Sequence, residues 1–279
     1  MKEIVKYNNQ INQLSFKNFS DYDLNFLMVI CAKMRDLGEE TQRFTYSQLM
    51  DLLQWDRSKS IEVFHKDLKR MAERLRHVGA TMDIDDDIFT AFNLFSDFEG
   101  NKKKRELIVT LNPRFKYVLN DLTKNFTRFE LQEYIHLSGR YSKLLYQHLK
   151  QFRTQGWWQV SLEEIRYVLA IPASMPTMNI RPKVINPSIE TICNCCKGFT
   201  DLSVEVLRSE RRGRAVVGYK FTWTLEQIKR QVPGQIHIDD LPSAEQEKKK
   251  RQQSKKNSFN SFPQNQYNFE QLEEDLLSN

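Results

Sequence analysis

The sequence predicts an α+β chain in which one structural pattern is used twice and followed by a polar tail. Three observations carry this. A helix-period segment, a short helix, a longer basic helix and a hairpin follow one another in residues 24–111 and again in residues 141–223. Each hairpin is tipped with cations: Lys102, Lys103, Lys104 and Arg105 in the first, Arg208, Arg211, Arg212 and Arg214 in the second. From Gln235 onward Glu, Gln, Lys, Ser and Asn dominate, a composition that buries too little apolar surface to offset the entropy of folding. A helix pair followed by a basic hairpin is the layout of a winged helix. The expected architecture is therefore two tandem winged-helix domains, 1–125 and 126–234, with a disordered tail over 235–279. The repeat is one of pattern, without residue identity.

Taking the elements in order, Leu24, Leu27, Met28, Cys31 and Met34 have the i, i+3, i+4, i+7 spacing of a helix with one apolar face, within a helix from Leu24 to Leu37. Ser20 or Asp21 can cap its start. A short helix from Ser47 to Leu53 comes next, then a basic helix from Ser58 to Val78. In that helix Ile61, Phe64, Leu68, Met71, Leu75 and Val78 form one stripe, which leaves Lys59, Lys66, Arg70 and His77 opposite. A solvated charged face has the same pattern and is the commoner reason for it; the position just before a basic hairpin brings a surface that meets DNA level with it. Ile88 to Phe98 is dense in aromatic and β-branched residues, and Leu107 to Leu111 returns as its partner across a turn at Gly100 and Asn101. After Asn112 and Pro113 a short helix ends at Leu119, and the boundary follows near residue 125.

The second unit opens with a helix from Tyr141 to Phe152, with Leu144, Leu145, Leu149 and Phe152 inward. Trp157 to Val160 reads as a strand, and Ser161-Leu-Glu-Glu164 as a capping box opening a helix to Leu169. From Arg181 to Cys196, Ile185, Ile189, Ile192 and Cys196 share an arc while Lys183, Asn186, Glu190 and Asn194 look outward. Pro187 removes one backbone hydrogen bond there, so either the helix kinks or Asn186 caps a new start. Strands Leu202 to Leu207 and Ala215 to Trp223 close the unit. In the tail, Phe259 to Leu277 regains Phe262, Tyr267, Phe269, Leu272, Leu276 and Leu277, enough for a short amphipathic helix on a partner, while a tail with no partner fits the same residues equally well.

Bulk properties narrow the function. The 279 residues suffice for two ordinary cores, and the net charge of +6 is a weak bias toward polyanions. No apolar run reaches the roughly 18 to 20 residues of a membrane span, and the N-terminus lacks a signal-peptide layout, so the expected location is cytoplasmic with no membrane contact. Cys31, Cys193, Cys195 and Cys196 are too few and too bunched for a disulfide framework. Cys193, Cys195 and Cys196 have no fourth ligand at a familiar zinc spacing, so they read as structural. Asp83, Asp85, Asp86 and Asp87 are adjacent residues that point to alternating faces and do not converge on a metal. A phosphate-binding loop ending in Lys-Ser or Lys-Thr is absent, and His237-Ile238-Asp239 lacks the second His of a nickase metal site. The expectation is a protein with no catalytic centre, no metal and no cofactor.

At Arg140-Tyr-Ser-Lys-Leu-Leu-Tyr146 a resemblance becomes specific. Together with Ser161-Leu-Glu-Glu-Ile165, Leu169, Val184-Ile-Asn-Pro-Ser-Ile-Glu-Thr-Ile192 and Gly218-Tyr-Lys-Phe221, in that order, it is similar to the iteron-binding plasmid replication initiators. The resemblance spans most of the second unit and is looser in the first. It implies a protein that binds directly repeated origin sequences in double-stranded DNA, opens the adjacent duplex and recruits host replication proteins, with monomers acting on repeats and homodimers inhibitory or autoregulatory. It places the base-reading helix at Arg181 to Ile192, with Arg181, Lys183 and Asn186 as contacts. Ser58, Lys59, Lys66 and Arg70 serve the first unit's helix. Lys102 to Arg105, Arg140, Lys143, Arg211, Arg212 and Arg214 are the further DNA-binding candidates, the wing cations holding phosphates. The same fold also serves transcriptional repressors, including those acting on their own promoters, and a scaffold working through Phe259 to Leu277 is a third reading.

Overall fold

The computed structural model describes residues 3–35, 41–83, 87, 89–113, 116–119, 122, 124–210 and 215–225. Strand β1 (Ile4–Asn8) buries alternate residues Val5 and Tyr7, and a 3-10 turn over Asn9–Gln13 leads toward helix α1 (Asp21–Met34). Ser20 is the cap: its hydroxyl accepts from the Asp23 N–H, and the Asp23 carboxylate accepts from the Ser20 N–H at 2.6 Å. One apolar face is too narrow a description of α1. Phe26, Val29 and Ile30 are buried along with Leu24, Leu27, Met28, Cys31 and Met34, so the helix is enclosed all round.

Strand β2 (Thr41–Thr45) runs straight into α2 (Tyr46–Leu52) and is an element the sequence reading did not include. Thr45, rather than Ser47, caps α2 by accepting from the Gln48 N–H at 3.2 Å. Helix α3 (Ile61–Leu75) starts later than expected because both the N–H and the hydroxyl of Ser58 are committed to Asp56, at 3.0 and 2.7 Å. Ser60 takes the cap instead. The apolar stripe holds, with Phe64, Leu68, Met71 and Leu75 buried.

The run expected as one strand from Ile88 to Phe98 is two. Leu94, fully buried, breaks it, and its N–H turns to the Val78 carbonyl at 2.7 Å. Strand β4 (Phe89–Asn93) pairs with β3 (Gly79–Asp83) in a separate ribbon, while β5 (Phe95–Asn101) pairs with β6 (Glu106–Leu111). Gly100 and Asn101 belong to β5, and the turn is Lys102 to Arg105. The sheet order is β2-β6-β5. After α4 (Lys116–Leu119), β7 (Phe126–Glu130) pairs antiparallel with β1, joining residues on both sides of position 125.

The second unit follows with α5 (Leu131–His136), α6 (Arg140–Gln151), β8 (Trp157–Ser161) and α7 (Leu162–Val168). Ser161 caps α7, accepting from the Glu164 N–H at 3.0 Å. A helical run of α8 (Thr177–Ile180), a π turn (Arg181–Ile185) and α9 (Asn186–Cys195) comes next, then β9 (Ser203–Arg208) and β10 (Val216–Thr222). The sheet order β8-β10-β9 repeats that of the first unit: the strand between the helices, then the last strand, then the middle one. Gly218 is required where β10 meets β8, since a Cβ there would lie 2.3 Å from the Val160 carbonyl oxygen.

Helix α1 packs against β1, α3, α5 and α6, so both units share its apolar surface. Polar contacts cross the same seam: the Gly139 N–H donates to Asp21 Oδ2 at 3.0 Å, and Asn12 Nδ2 to Gln151 Oε1 at 2.9 Å.

Candidate nucleic-acid interface

In the first unit the surface is built from α3 and the β5–β6 wing. Burial of the Phe64, Leu68, Met71 and Leu75 stripe turns Lys59, Lys66, Lys69, Arg70 and His77 to solvent. Their ion pairs are weak. Arg70 meets Asp67 at 2.8 Å and Lys69 meets Glu73 at 4.0 Å, both exposed pairs worth about 0 to 1 kcal/mol, which a phosphate can displace. Lys59 Nζ sits 5.2 Å from the Trp55 ring, which holds its stem across the turn between α2 and α3.

The wing is anchored to this helix pair. Arg105 adopts φ +53° to close the turn, its carbonyl accepts from the Tyr46 N–H at 2.8 Å, and Asn101 Oδ1 accepts from the Lys104 N–H at 3.0 Å. Lys102, Lys103, Lys104 and Arg105 are all exposed. The tip and the start of α3 feel one another: the Glu62 carboxyl is held below its ordinary value by its own backbone N–H and the Ser60 side chain, with Lys102 and Arg105 adding to the effect. Between α3 and the wing lies a groove of about 470 Å³ lined by His65, Lys69, Ala72, Arg76, Phe98 and Gly100.

The second unit solves the helix differently. Asn186 has φ −59° and ψ −48°, inside the helix rather than capping a new one, and its N–H donates five residues back to the Arg181 carbonyl. This π turn carries the chain past Pro182 and Pro187 without ending the run, so of the two expected alternatives the fresh cap at Asn186 does not occur and the helix is instead irregular there. The helical run also begins at Thr177, ahead of the Arg181 start the sequence suggests. Ile180, Val184, Ile185 and Ile192 are buried, and Met178, Arg181, Lys183, Asn186, Glu190 and Asn194 are exposed. Ser188 belongs to the inner face, with its hydroxyl donating to the Val184 carbonyl at 2.7 Å.

Two candidates leave the interface. Lys143 has no exposed surface; its ammonium donates to the Tyr134 and Ile135 carbonyls at 2.8 and 3.3 Å at the end of α5, and burial pushes its pKa down to about 8. A cation enclosed by protein cannot neutralise a phosphate. Arg140 is half-buried, with its guanidinium donating to the Lys17 carbonyl at 3.1 Å and the Ala170 carbonyl at 2.6 Å. Both share the Arg-Tyr-Ser-Lys motif, whose residues hold α6 in place. Arg211, Arg212 and Arg214 lie outside the described residues, as do Asp85, Asp86 and the tail with Phe259 to Leu277. Among the described residues no group of His, Cys, Asp or Glu could hold a metal ion, and no helix is long and apolar enough to cross a membrane.

Sequence reasoning missed Lys69, Met178 and Arg166. Lys69 follows Lys66 by one helical turn and was legible. Met178 was not, because Pro182 and Pro187 mask a helix start that lies before them, and Arg166 was not, because the carbonyls it holds lie in the loop beyond its own helix.

Two helix–wing surfaces carried on sheets of identical strand order define a DNA-binding protein with paired winged helices. The comparisons agree. Residues 4–150 match the family described as "Initiator Replication protein, WH1", and residues 161–223 match "Initiator Rep protein, WH2". This chain belongs to the initiator replication protein family and is a replication initiator. It is 31% identical over 226 residues to a "Probable replication protein rep" of Bifidobacterium longum (strain NCC 2705), covering 80% of this chain and 73% of that one. Its fold is similar to the Pi initiator protein solved in complex with iteron DNA, with a TM-score of 0.64, 15% identity, and 81% of this chain and 98% of that chain covered. A weaker likeness, TM-score 0.42 at 14% identity over 73% of this chain and 83% of the other, is to domains 2 and 3 of RctB.

Proposed function

We propose that this initiator binds directly repeated sequences, iterons, at a plasmid origin through both winged helices, opens the adjacent duplex and recruits host replication proteins, acting by binding rather than catalysis. The observation that supports this most is the presence in one chain of two helix–wing surfaces of the same strand order, on a fold similar to an initiator solved on iteron DNA. Arg181, Lys183 and Asn186 read base edges, while Lys59, Lys66, Arg70 and Lys102 to Arg105 hold phosphates. The tail segment Phe259 to Leu277 holds a host replication protein; its deletion is expected to spare DNA binding and impair replication in cells.

The direct test is a fluorescence-anisotropy titration of the full chain on duplexes from beside its own gene against scrambled duplex, over a range of salt. The expected result is a preference of about a thousandfold for a directly repeated element, with affinity falling steeply as salt rises. Equal, weak binding to both duplexes would overturn the proposal.

A further inference from the structure

The first turn of the second unit's long helix is a built platform. The Arg166 guanidinium donates to the Pro172 carbonyl at 3.3 Å, the Met175 carbonyl at 2.9 Å and Thr177 Oγ1 at 3.2 Å, fastening the loop before the helix to α7. The Met175 N–H donates to the Pro172 carbonyl at 3.0 Å, the Asn179 N–H donates to the Pro176 carbonyl at 2.9 Å, and Ile180 is fully buried beneath. From this turn Met178 projects with 81% of its surface exposed, more than any other large apolar side chain among the described residues. The turn that carries it is held by hydrogen bonds, so its exposure belongs to ordered structure rather than to a loose loop.

Met178 stands on the outward side of the same run as Arg181, Lys183 and Asn186, all exposed. These four side chains offer two cations, one amide and one flexible apolar group, beside the exposed Pro182, Pro187 and Glu190. Cations match the acceptors of guanine and the amide matches adenine; the one apolar feature of a major-groove edge is the C5-methyl of thymine. A flexible thioether is well shaped to cover it. We infer that Met178 is a base-specificity residue that buries a thymine methyl in the bound repeat, with Arg166 as its positioning residue. The inference rests on the proposed role of this helix in reading DNA.

The experiment is a thymine-to-uracil scan of the repeat duplex, read by anisotropy with the full chain. Each change removes one methyl and leaves every hydrogen-bonding edge intact. At one thymine the wild type is expected to lose about three- to fivefold in affinity, the value of one buried methyl. In Met178→Ala that position becomes silent while the others keep their response, and Met178→Leu retains the sensitivity. Arg166→Gln loses the response at that same position alone, which a general loss of stability would not produce. Identical uracil profiles for wild type and Met178→Ala would overturn the inference while leaving repeat binding intact. Failure of the wild type to prefer the repeat over scrambled duplex would instead remove the functional reading, and the inference with it.

Discussion

The two winged helices share a strand order and differ in the long helix that precedes the wing. In the first unit α3 is a regular helix with one clean apolar stripe, a Ser60 cap and an outer face of Lys66, Lys69 and Arg70 flanked by Glu62 and Glu73. In the second the corresponding run is bent into a π turn, bears two prolines and offers Met, Arg, Lys, Asn and Glu. Adjacent cations such as Lys66, Lys69 and Arg70 suit phosphates, which look alike at every sequence; a row of cation, amide and apolar groups suits base edges, which do not. On the proposed reading, the repeated fold divides affinity from specificity between its copies.

The comparison is sharpened first where motif residues turn out to be structural. Lys143→Ala takes its donor from the Ile135 carbonyl and one of two donors from the Tyr134 carbonyl, which keeps the Leu137 N–H, and leaves a cavity where the buried stem lay; it is expected to cost about 3 to 5 kcal/mol of stability, read by urea denaturation. The salt dependence of DNA binding should not move; a shallower slope would return Lys143 to the interface. Next, Arg181→Ala with Lys183→Ala should weaken repeat binding by about 2 to 5 kcal/mol while scarcely changing binding to scrambled duplex. Lys66→Ala with Lys69→Ala should lower both together and flatten the salt slope by roughly two contacts. If the two pairs behave alike, the division of labour fails.

An acid step of about 3 kcal/mol is the expected outcome for the second unit. His148 stacks on Trp158, ring centroids 5.0 Å apart, and burial pushes its pKa down to about 4. The unfolded chain, with a His near 6.5, takes up the proton first as pH falls. Stability present above pH ~6.5 is therefore lost between there and pH ~4. Denaturation midpoints across that range for wild type and His148→Phe measure it; parallel curves would refute the assignment. The smallest effect is at the wing, where Lys103→Ala alone should shift the salt slope by about one contact and cost under about 1 kcal/mol.

The helices that carry the interface were legible because periodicity is local: the stripe in α3, the Ser161 cap of α7 and the core positions Ile185 and Ile192 all stand where spacing puts them. What escaped depends on partners distant in sequence. Strand β2 exists because Thr41 to Thr45 pair with Glu106 to Thr110, and the run through Phe98 splits because Leu94 is drawn to Val78. Lys143 looked like a surface cation because its carbonyl partners lie on another helix. The π turn was hidden because two prolines ordinarily announce an ending.

Helix α1 gives its whole circumference to the protein, touching α3 on one side and α5 and α6 on another. The spacing of the two winged helices is therefore set by a common beam rather than by a tether, and on the proposed reading of DNA they act as the two heads of a caliper with a fixed gap. Each base pair inserted between the sites read by the two heads turns the second by about 35° around the duplex, a phase error that such a caliper has no linker to absorb.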